Sequence, residues 1–140
     1  MAFDPAQLTS AMLDFLTERH LATLTTLRAD GRPHVVPVGF TYDPSTHRVR
    51  VVTRPTSRKA RHASVGSVGV ICQVDGGRWL TLSGQCELHT DEASTAACGL
   101  AYAQRYGHPP RRAGWASLEI VVDRCMGNVP DPAARRVLEG

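Results

Sequence analysis

From His20 onward, apolar and polar residues alternate with the two-residue period of a half-buried strand, in segments rich in Val, Thr and Leu. The first three segments run over 21–28, 33–42 and 47–54, with Ala29-Asp30-Gly31 and Tyr42-Asp43-Pro44-Ser45 as the turns between them. They predict three consecutive antiparallel strands. A second meander follows, in which Val68–Val74 turns at Asp75-Gly76-Gly77 into Arg78–Leu88, and Ala116–Cys125 supplies a sixth strand. Two helices interrupt the strands, a short cationic one over 57–64 and a longer one from Asp91 to about Tyr106, stopped by Gly107 with Pro109 and Pro110 beyond. At the N-terminus Asp4 caps a helix that has Pro5 at its first position and Leu8, Met12, Phe15 and Leu16 on one face, an amphipathic lid. The expected fold is therefore a single domain over 1–140, mainly β with helices, in which six antiparallel strands form a small barrel closed at its ends by three helices.

Two residues break the strand pattern. Pro37 falls in the middle of the second strand, where it has no N–H for a ladder, so that strand is expected at an edge or with a bulge. Trp79 shares parity with Thr81 and Ser83, while Leu80 and Leu82 face the other way, which puts a large aromatic on a polar face beside Arg78. A ligand or a second subunit would cover it; ordinary surface packing is the alternative.

Charge sharpens the picture at one place. No acid lies between Asp43 and Asp75, whereas Arg48, Arg50, Arg54, Arg58, Lys59 and Arg61 all do, and Lys59 is the only lysine in the chain. A helix N-terminus carries about half a positive charge and unpaired N–H groups, so its first turn favours Asp or Glu. The helix after Thr90-Asp91-Glu92 follows this rule with a hydroxyl cap and two acids. The helix beginning at Ser57 does the reverse: Thr56 and Ser57 bring hydroxyls, Arg58 and Lys59 bring positive charge. Hydroxyls, N–H groups and cations at one helix start describe a phosphate cradle, with a solvated basic turn as the alternative.

At 140 residues and 42% hydrophobic content the chain has apolar material for one core. A net charge of +3 and an aromatic share of 6%, without an aromatic-rich basic motif, give no reason to expect nucleic acid. Met1-Ala2-Phe3-Asp4-Pro5 lacks the basic and apolar regions of a signal peptide, and no apolar run is long enough to span a membrane, so a cytoplasmic protein without a membrane partner is expected. Cys72, Cys86, Cys98 and Cys125 lack paired spacing and are expected as buried free thiols; the histidines are dispersed, so no structural metal is expected. The nucleophile elbow, the G-x-G-x-x-G turn and the P-loop are absent from the sequence, and Glu87 and Glu119 are single acids on strands. An enzyme built this way would leave the reaction to an organic cofactor and supply orientation.

Five segments resemble a known family: 20–28, Pro33-His34-Val35-Val36-Pro37-Val38-Gly39-Phe40, Ser57-Arg58-Lys59-Ala60, Gln73-Val74-Asp75-Gly76-Gly77-Arg78-Trp79-Leu80 and Tyr102-Ala103-Gln104-Arg105-Tyr106. Their order is similar to that of the split β-barrel flavin and deazaflavin oxidoreductases, the relatives of pyridoxamine 5′-phosphate oxidase, and within them to the F420-dependent biliverdin reductases. The likeness covers nearly the whole chain. It implies an FMN-binding-type split barrel and a homodimer with two cofactor sites at the subunit interface. It also implies coenzyme F420 as the cofactor, reduced F420 giving hydride to a conjugated small-molecule acceptor, first of all biliverdin, which becomes bilirubin.

Residue by residue, the resemblance places Ser57 and Lys59 on the phosphate with Thr56 and Arg58 as helpers. It places Val36, Pro37 and Val38 along the ring, and Gln73, Arg78 and Trp79 at the interface near cofactor and substrate. No side chain is implied as catalytic, because the cofactor carries the hydride. An FMN-dependent pyridoxamine 5′-phosphate oxidase-like enzyme is the alternative within the fold; a non-catalytic protein that binds F420, flavin or a tetrapyrrole is the alternative outside enzymes. Arg54-Pro55-Thr56 stands where a smaller, Gly-containing stretch is expected, and Gly107–Gly114 also departs from the pattern, which leaves the choice of acceptor open.

Overall fold

Strand β1 (Ala22–Leu27) buries Ala22, Leu24 and Thr26 and exposes Thr23 and Leu27, the alternation that its sequence carries. The structure, a computed structural model, describes residues 1–132; residues 133–140 of the domain expected over 1–140 lie outside the described residues. Strand β2 (Pro33–Val38) pairs with β1 alone and in continuous register, Pro37 opposite Thr23, so the proline sits on an edge and needs no bulge.

The expected strand over 33–42 is broken at Gly39 and Phe40. Beyond the break, β3 (Thr41–Asp43) pairs with β4 (Arg48–Thr53), so the described residues form seven strands, not six. The cause is where the backbone of Phe40 finds its partners. Its N–H donates to the Tyr106 hydroxyl at 3.1 Å, and its carbonyl accepts from the Tyr106 hydroxyl and the Arg105 guanidinium. Both groups are thus spent on helix side chains rather than on a neighbouring strand.

The remaining strands are β5 (Val68–Asp75), β6 (Arg78–His89) and β7 (Ala116–Asn128), and the sheet order is β2-β1-β5-β6-β7-β4-β3. Its two edge strands are consecutive in the chain and separated only by Gly39 and Phe40. The sheet must therefore curl into a barrel whose seam is crossed by chain instead of ladder hydrogen bonds. Register slips once, between Ser83 and Gly84, where the backbone of β7 comes so close that a Cβ on Gly84 would lie 1.8 Å from the Val121 carbonyl oxygen. Leu24, Phe40, Val49, Val51, Ile71, Leu80, Leu82, Leu118 and Ile120 fill the interior.

Around the barrel lie α1 (Ser10–Phe15), α2 (Arg58–Ser64) and α3 (Glu92–Tyr106). The N-terminal lid is two pieces rather than one helix. Asp4 and Gln7 form a capping box on a single 3₁₀ turn, and Thr9 then caps α1 separately, its hydroxyl accepting from the Met12 N–H at 3.2 Å. Phe15 and Leu16 are buried against the core as expected. The cap of α3 is the carboxylate of Asp91, accepting from the Ser94 N–H at 2.9 Å, rather than the hydroxyl of Thr90. Its far end closes at Gly107, whose φ of +81° is the left-handed conformation a helix stop uses. All four cysteines are free; Cys86, Cys98 and Cys125 are buried and Cys72 is half-buried. Among the described residues no helix is long and apolar enough to cross a membrane.

Candidate active site

The ends of β2 and β4, the start of α2 and the segment before β7 surround a cleft of about 720 Å³, a size that suits a small-molecule ligand. Pro37, Val38 and Gly39 form one wall, and Thr53, Arg54, Thr56, Ser57 and Lys59 a second. Tyr102 of α3 and the segment from Pro110 to Trp115 complete it. Arg54, Lys59, Arg111 and Arg112 line this cleft, no acidic residue does, and none of the four joins an ion pair among the described residues.

Lys59 is half-buried, and burial is the cause that lowers the pKa of its ammonium. A cation withdrawn from water with no carboxylate to offset the loss is relieved by an incoming anion. Ser57 is the N-cap of α2: its Oγ accepts from the Ala60 N–H at 3.2 Å and lies 2.9 Å from Thr53 Oγ1. Since α2 is only seven residues long, attraction for an anion rests on the cations more than on a helix dipole. Behind it, His62 of α2 meets His34 of β2 edge to face at 5.3 Å, and His62 Nδ1 is 2.8 Å from Thr26 Oγ1. Burial first, and then the charges of His62, Arg28, Arg58 and Lys59, hold the His34 pKa below its ordinary value. The flank of the cleft is thus positive without depending on histidine protonation.

Of the residues predicted from sequence, Pro37, Val38, Thr56, Ser57 and Lys59 come together here. Val36 does not: it packs against the hydrophobic core and, although it shares a strand face with Val38, lies further from the end of β2 that forms the wall. Arg58 is exposed and lies outside the lining. Gln73 is 0% exposed, with Nε2 donating to the Phe15 carbonyl at 2.8 Å and Oε1 accepting from Arg105 at 2.7 Å. Both ends of its amide are engaged inside the barrel, and it does not line this cleft. Arg78 is likewise taken, bonded to both oxygens of Glu18 at 2.7 and 2.8 Å, to Asp75, and stacked 4.6 Å over Phe15. It does not line this cleft. Trp79 is half-buried on the outward face of the sheet, between Val74 and Asn128.

The acid-free window also divides. Arg48 pairs with Glu87 at 2.6 Å and Glu119 at 3.2 Å, and Arg50 with Asp43 at 3.1 Å, so neither is available to a ligand. The same pairings qualify the dispersal of histidines. Glu18, His20 and Asp75 converge, as do Glu87, His89 and Glu119, but Arg78 is already bonded to acids of the first group and Arg48 to those of the second. Sequence reasoning missed Gly39, Tyr102, Arg111, Arg112 and Trp115 as cleft residues. Only the adjacent arginines just beyond a Gly-His-Pro-Pro helix stop offered a signal.

Comparison with known proteins agrees with this architecture. A family model described as pyridoxamine 5′-phosphate oxidase matches residues 8–125. The F420H(2)-dependent biliverdin reductase of Mycobacterium tuberculosis (strain CDC 1551 / Oshkosh) is 47% identical over 125 residues, covering 87% of this chain and 89% of that protein. The fold is shared with HupZ of Group A Streptococcus, with a TM-score of 0.71, 21% identity and coverage of 88% of this chain and 95% of that one. It is shared too with a structure described as an F420 reductase, with a TM-score of 0.62, 22% identity and coverage of 84% and 95%. A family match across most of the chain and a barrel split between its second and third strands lead to one assignment: the chain belongs to the pyridoxamine 5′-phosphate oxidase family.

Proposed function

We propose that this protein is a reductase that binds coenzyme F420 and uses its reduced form to reduce biliverdin to bilirubin. The observation that carries the reading is the cleft itself, cationic, without an acid among the described residues that line it, and walled on one side by the apolar end of β2. It supports F420 because that cofactor combines a flat ring with a phosphate and a tail of carboxylates, and the relative at 47% identity is an F420H(2)-dependent biliverdin reductase. Reduced F420, when bound, supplies a hydride from its deazaflavin ring.

The residues of this chain do the positioning. Lys59, with the hydroxyls of Ser57 and Thr56, holds the phosphate, while Arg58 adds charge from outside the lining. Pro37, Val38 and Gly39 give the ring a rigid apolar wall, and Tyr102 and Trp115 border the space left for an acceptor. Holding donor and acceptor face to face removes most of the entropic barrier to their reaction. No carboxyl or imidazole among the described residues lines the cleft, and ordered water serves as the proton source for the product in this reading.

The reading includes a cytoplasmic homodimer. The outward residues of β2, β1, β5, β6 and β7 line up as Pro37, Thr23, Cys72, Thr81 and Met126, with Val35, Thr25, Val70 and Ser83 in the next row. Val74 and Trp79 continue it, and Val35, Val74 and Met126 are exposed at 56%, 58% and 38%. Arg124, opposite Ser83, ends the second row on β7 as its one charged member, and a broad sheet face of this kind suits a second copy of the chain. Pro37 belongs to both this face and the cleft, which supports a cofactor site at the dimer boundary and a place near it for Trp79.

Fluorescence titration with F420 and FMN at fixed salt, followed by an anaerobic assay that tracks biliverdin loss and F420 oxidation together, tests the function. Tighter F420 binding and coupled loss of both bands are expected. FMN binding equal to or tighter than F420 binding moves the protein to the flavin-dependent alternative. Binding without turnover leaves a carrier or a different acceptor. Sedimentation equilibrium at micromolar concentration tests the dimer, and Thr81→Arg, a charge in the centre of the face, is expected to give monomers.

A further inference from the structure

The cleft holds more positive charge than one phosphate needs, and the surplus sits on a separate piece of chain. Lys59 comes from the first turn of α2 and the hydroxyls of Ser57 and Thr56 from the connection just before it, whereas Arg111 and Arg112 come from the segment between α3 and β7. That segment is anchored at both ends. At its start the Gly107 N–H donates to the Ala103 carbonyl at 2.9 Å, and the next residue, His108, meets Tyr102 edge to face at 5.7 Å. At its end Trp115 Nε1 donates to the Thr95 carbonyl at 3.1 Å, and the indole lies so tightly on α3 that a Cβ on Gly99 would stand 2.8 Å from it. Between these anchors Arg111 and Arg112 are exposed on the cleft and join no ion pair among the described residues, with Arg54 in the same lining.

Three guanidinium groups lining one cleft, with no acid among its described lining residues, repel one another and are suited to anions brought by a ligand. Their planar forks match carboxylates, which they bind through two parallel N–H···O bonds. We infer that Arg111 and Arg112, with Arg54, form a carboxylate-binding rim distinct from the phosphate site at Lys59. This rests on the F420-dependent reading and deepens it. The carboxylates have two chemical sources, the acidic side chains of a conjugated acceptor such as biliverdin and the glutamate tail of the cofactor.

The test uses the Arg111→Gln/Arg112→Gln double variant and four ligands. F420 and F420 stripped of its glutamate tail are titrated by fluorescence. Biliverdin and its dimethyl ester are titrated by absorbance on protein saturated with oxidised F420, so that binding is read without turnover. An acceptor-binding rim makes the double variant bind biliverdin about tenfold or more weakly, while the ester changes less than about twofold. A tail-binding rim gives the same contrast between intact and stripped F420. Unchanged affinity for all four ligands overturns the inference. So does an equal loss for the carboxylate and carboxylate-free forms, which would mean a change in cleft shape. If the wild-type protein does not bind F420, the cofactor reading fails on its own, and biliverdin against its ester on the unliganded protein still decides the rim.

Discussion

Arg105 of α3 donates through Nη2 to Oε1 of Gln73 on β5 at 2.7 Å, and both residues are buried. The other end of the Gln73 amide holds the Phe15 carbonyl, while Arg105 also donates to the carbonyls of Glu18 and Phe40 and stacks 4.6 Å from the Phe40 ring. The pair therefore ties the lid helix, the seam between β2 and β3, and the centre of the sheet to one helix. Its charge faces neutral carbonyl dipoles rather than a carboxylate, and burial pulls the Arg105 pKa down.

Removing either partner strands buried polar groups of the other. Gln73→Leu is expected to destabilise the fold by about 2 kcal/mol and Arg105→Ala by about 3 kcal/mol or more, measured by urea unfolding. F420 affinity of the folded fraction stays near wild type. A Gln73→Leu protein of normal stability that has lost F420 would put the glutamine back at the cofactor.

Lys59→Ala is expected to weaken F420 binding by about 1.5–3 kcal/mol, the worth of a charge-assisted hydrogen bond, with folding intact. Ser57→Ala loses less affinity but about 1 kcal/mol of stability, because Ser57 also caps α2. Titration at low and high salt completes the measurement, since binding carried by partly exposed charges weakens as salt rises. Unaltered affinity in Lys59→Ala would reduce the lysine to a surface charge.

Gly84 marks the register slip of β6, and its built Cβ meets the Val121 carbonyl oxygen at 1.8 Å and Val122 Cα at 3.1 Å. Both are backbone atoms in the centre of the sheet and have little room to yield. Gly84→Ala is expected to lower thermal stability by several degrees or to prevent folding, whereas Gly77→Ala, with nothing within 4 Å of its Cβ, leaves the melting temperature within about a degree.

Acid is expected to weaken the fold through Glu18 and Asp43. The hydrogen bond from Arg78 is the largest cause that brings Glu18 from 4.5 to about 2, and the Ser45 hydroxyl is the largest cause that brings Asp43 from 3.8 to about 2. Both native pKa values lie below the unfolded ones, so this stabilisation is full above pH 4.5 and is lost as pH falls toward 2. Melting temperatures across that range should fall less steeply in Glu18→Gln than in wild type. Parallel slopes would show that the Arg78 pairing contributes nothing to acid stability.

What was legible in the chain is what local chemistry enforces. Pro37 has no N–H whatever surrounds it, so its strand had to be an edge or carry a bulge, and Gly107 ended α3 because only a glycine accepts its φ of +81° without strain. The unpaired charge at Lys59 was visible for the same reason, since its cap, its hydroxyls and its lack of acids all lie within a few residues. Arg48, Arg50 and Arg78 looked equally free, yet Arg48 meets Glu87 and Glu119, Arg50 meets Asp43, and Arg78 meets Glu18 across sixty positions of chain. The break at Phe40 depends on Arg105 and Tyr106, and the arginines after α3 reach the cleft only because Trp115 is pinned against Gly99. Backbone conformation and capping are settled between neighbours along the chain; which cation keeps its charge for a ligand is settled by what the curled sheet brings beside it.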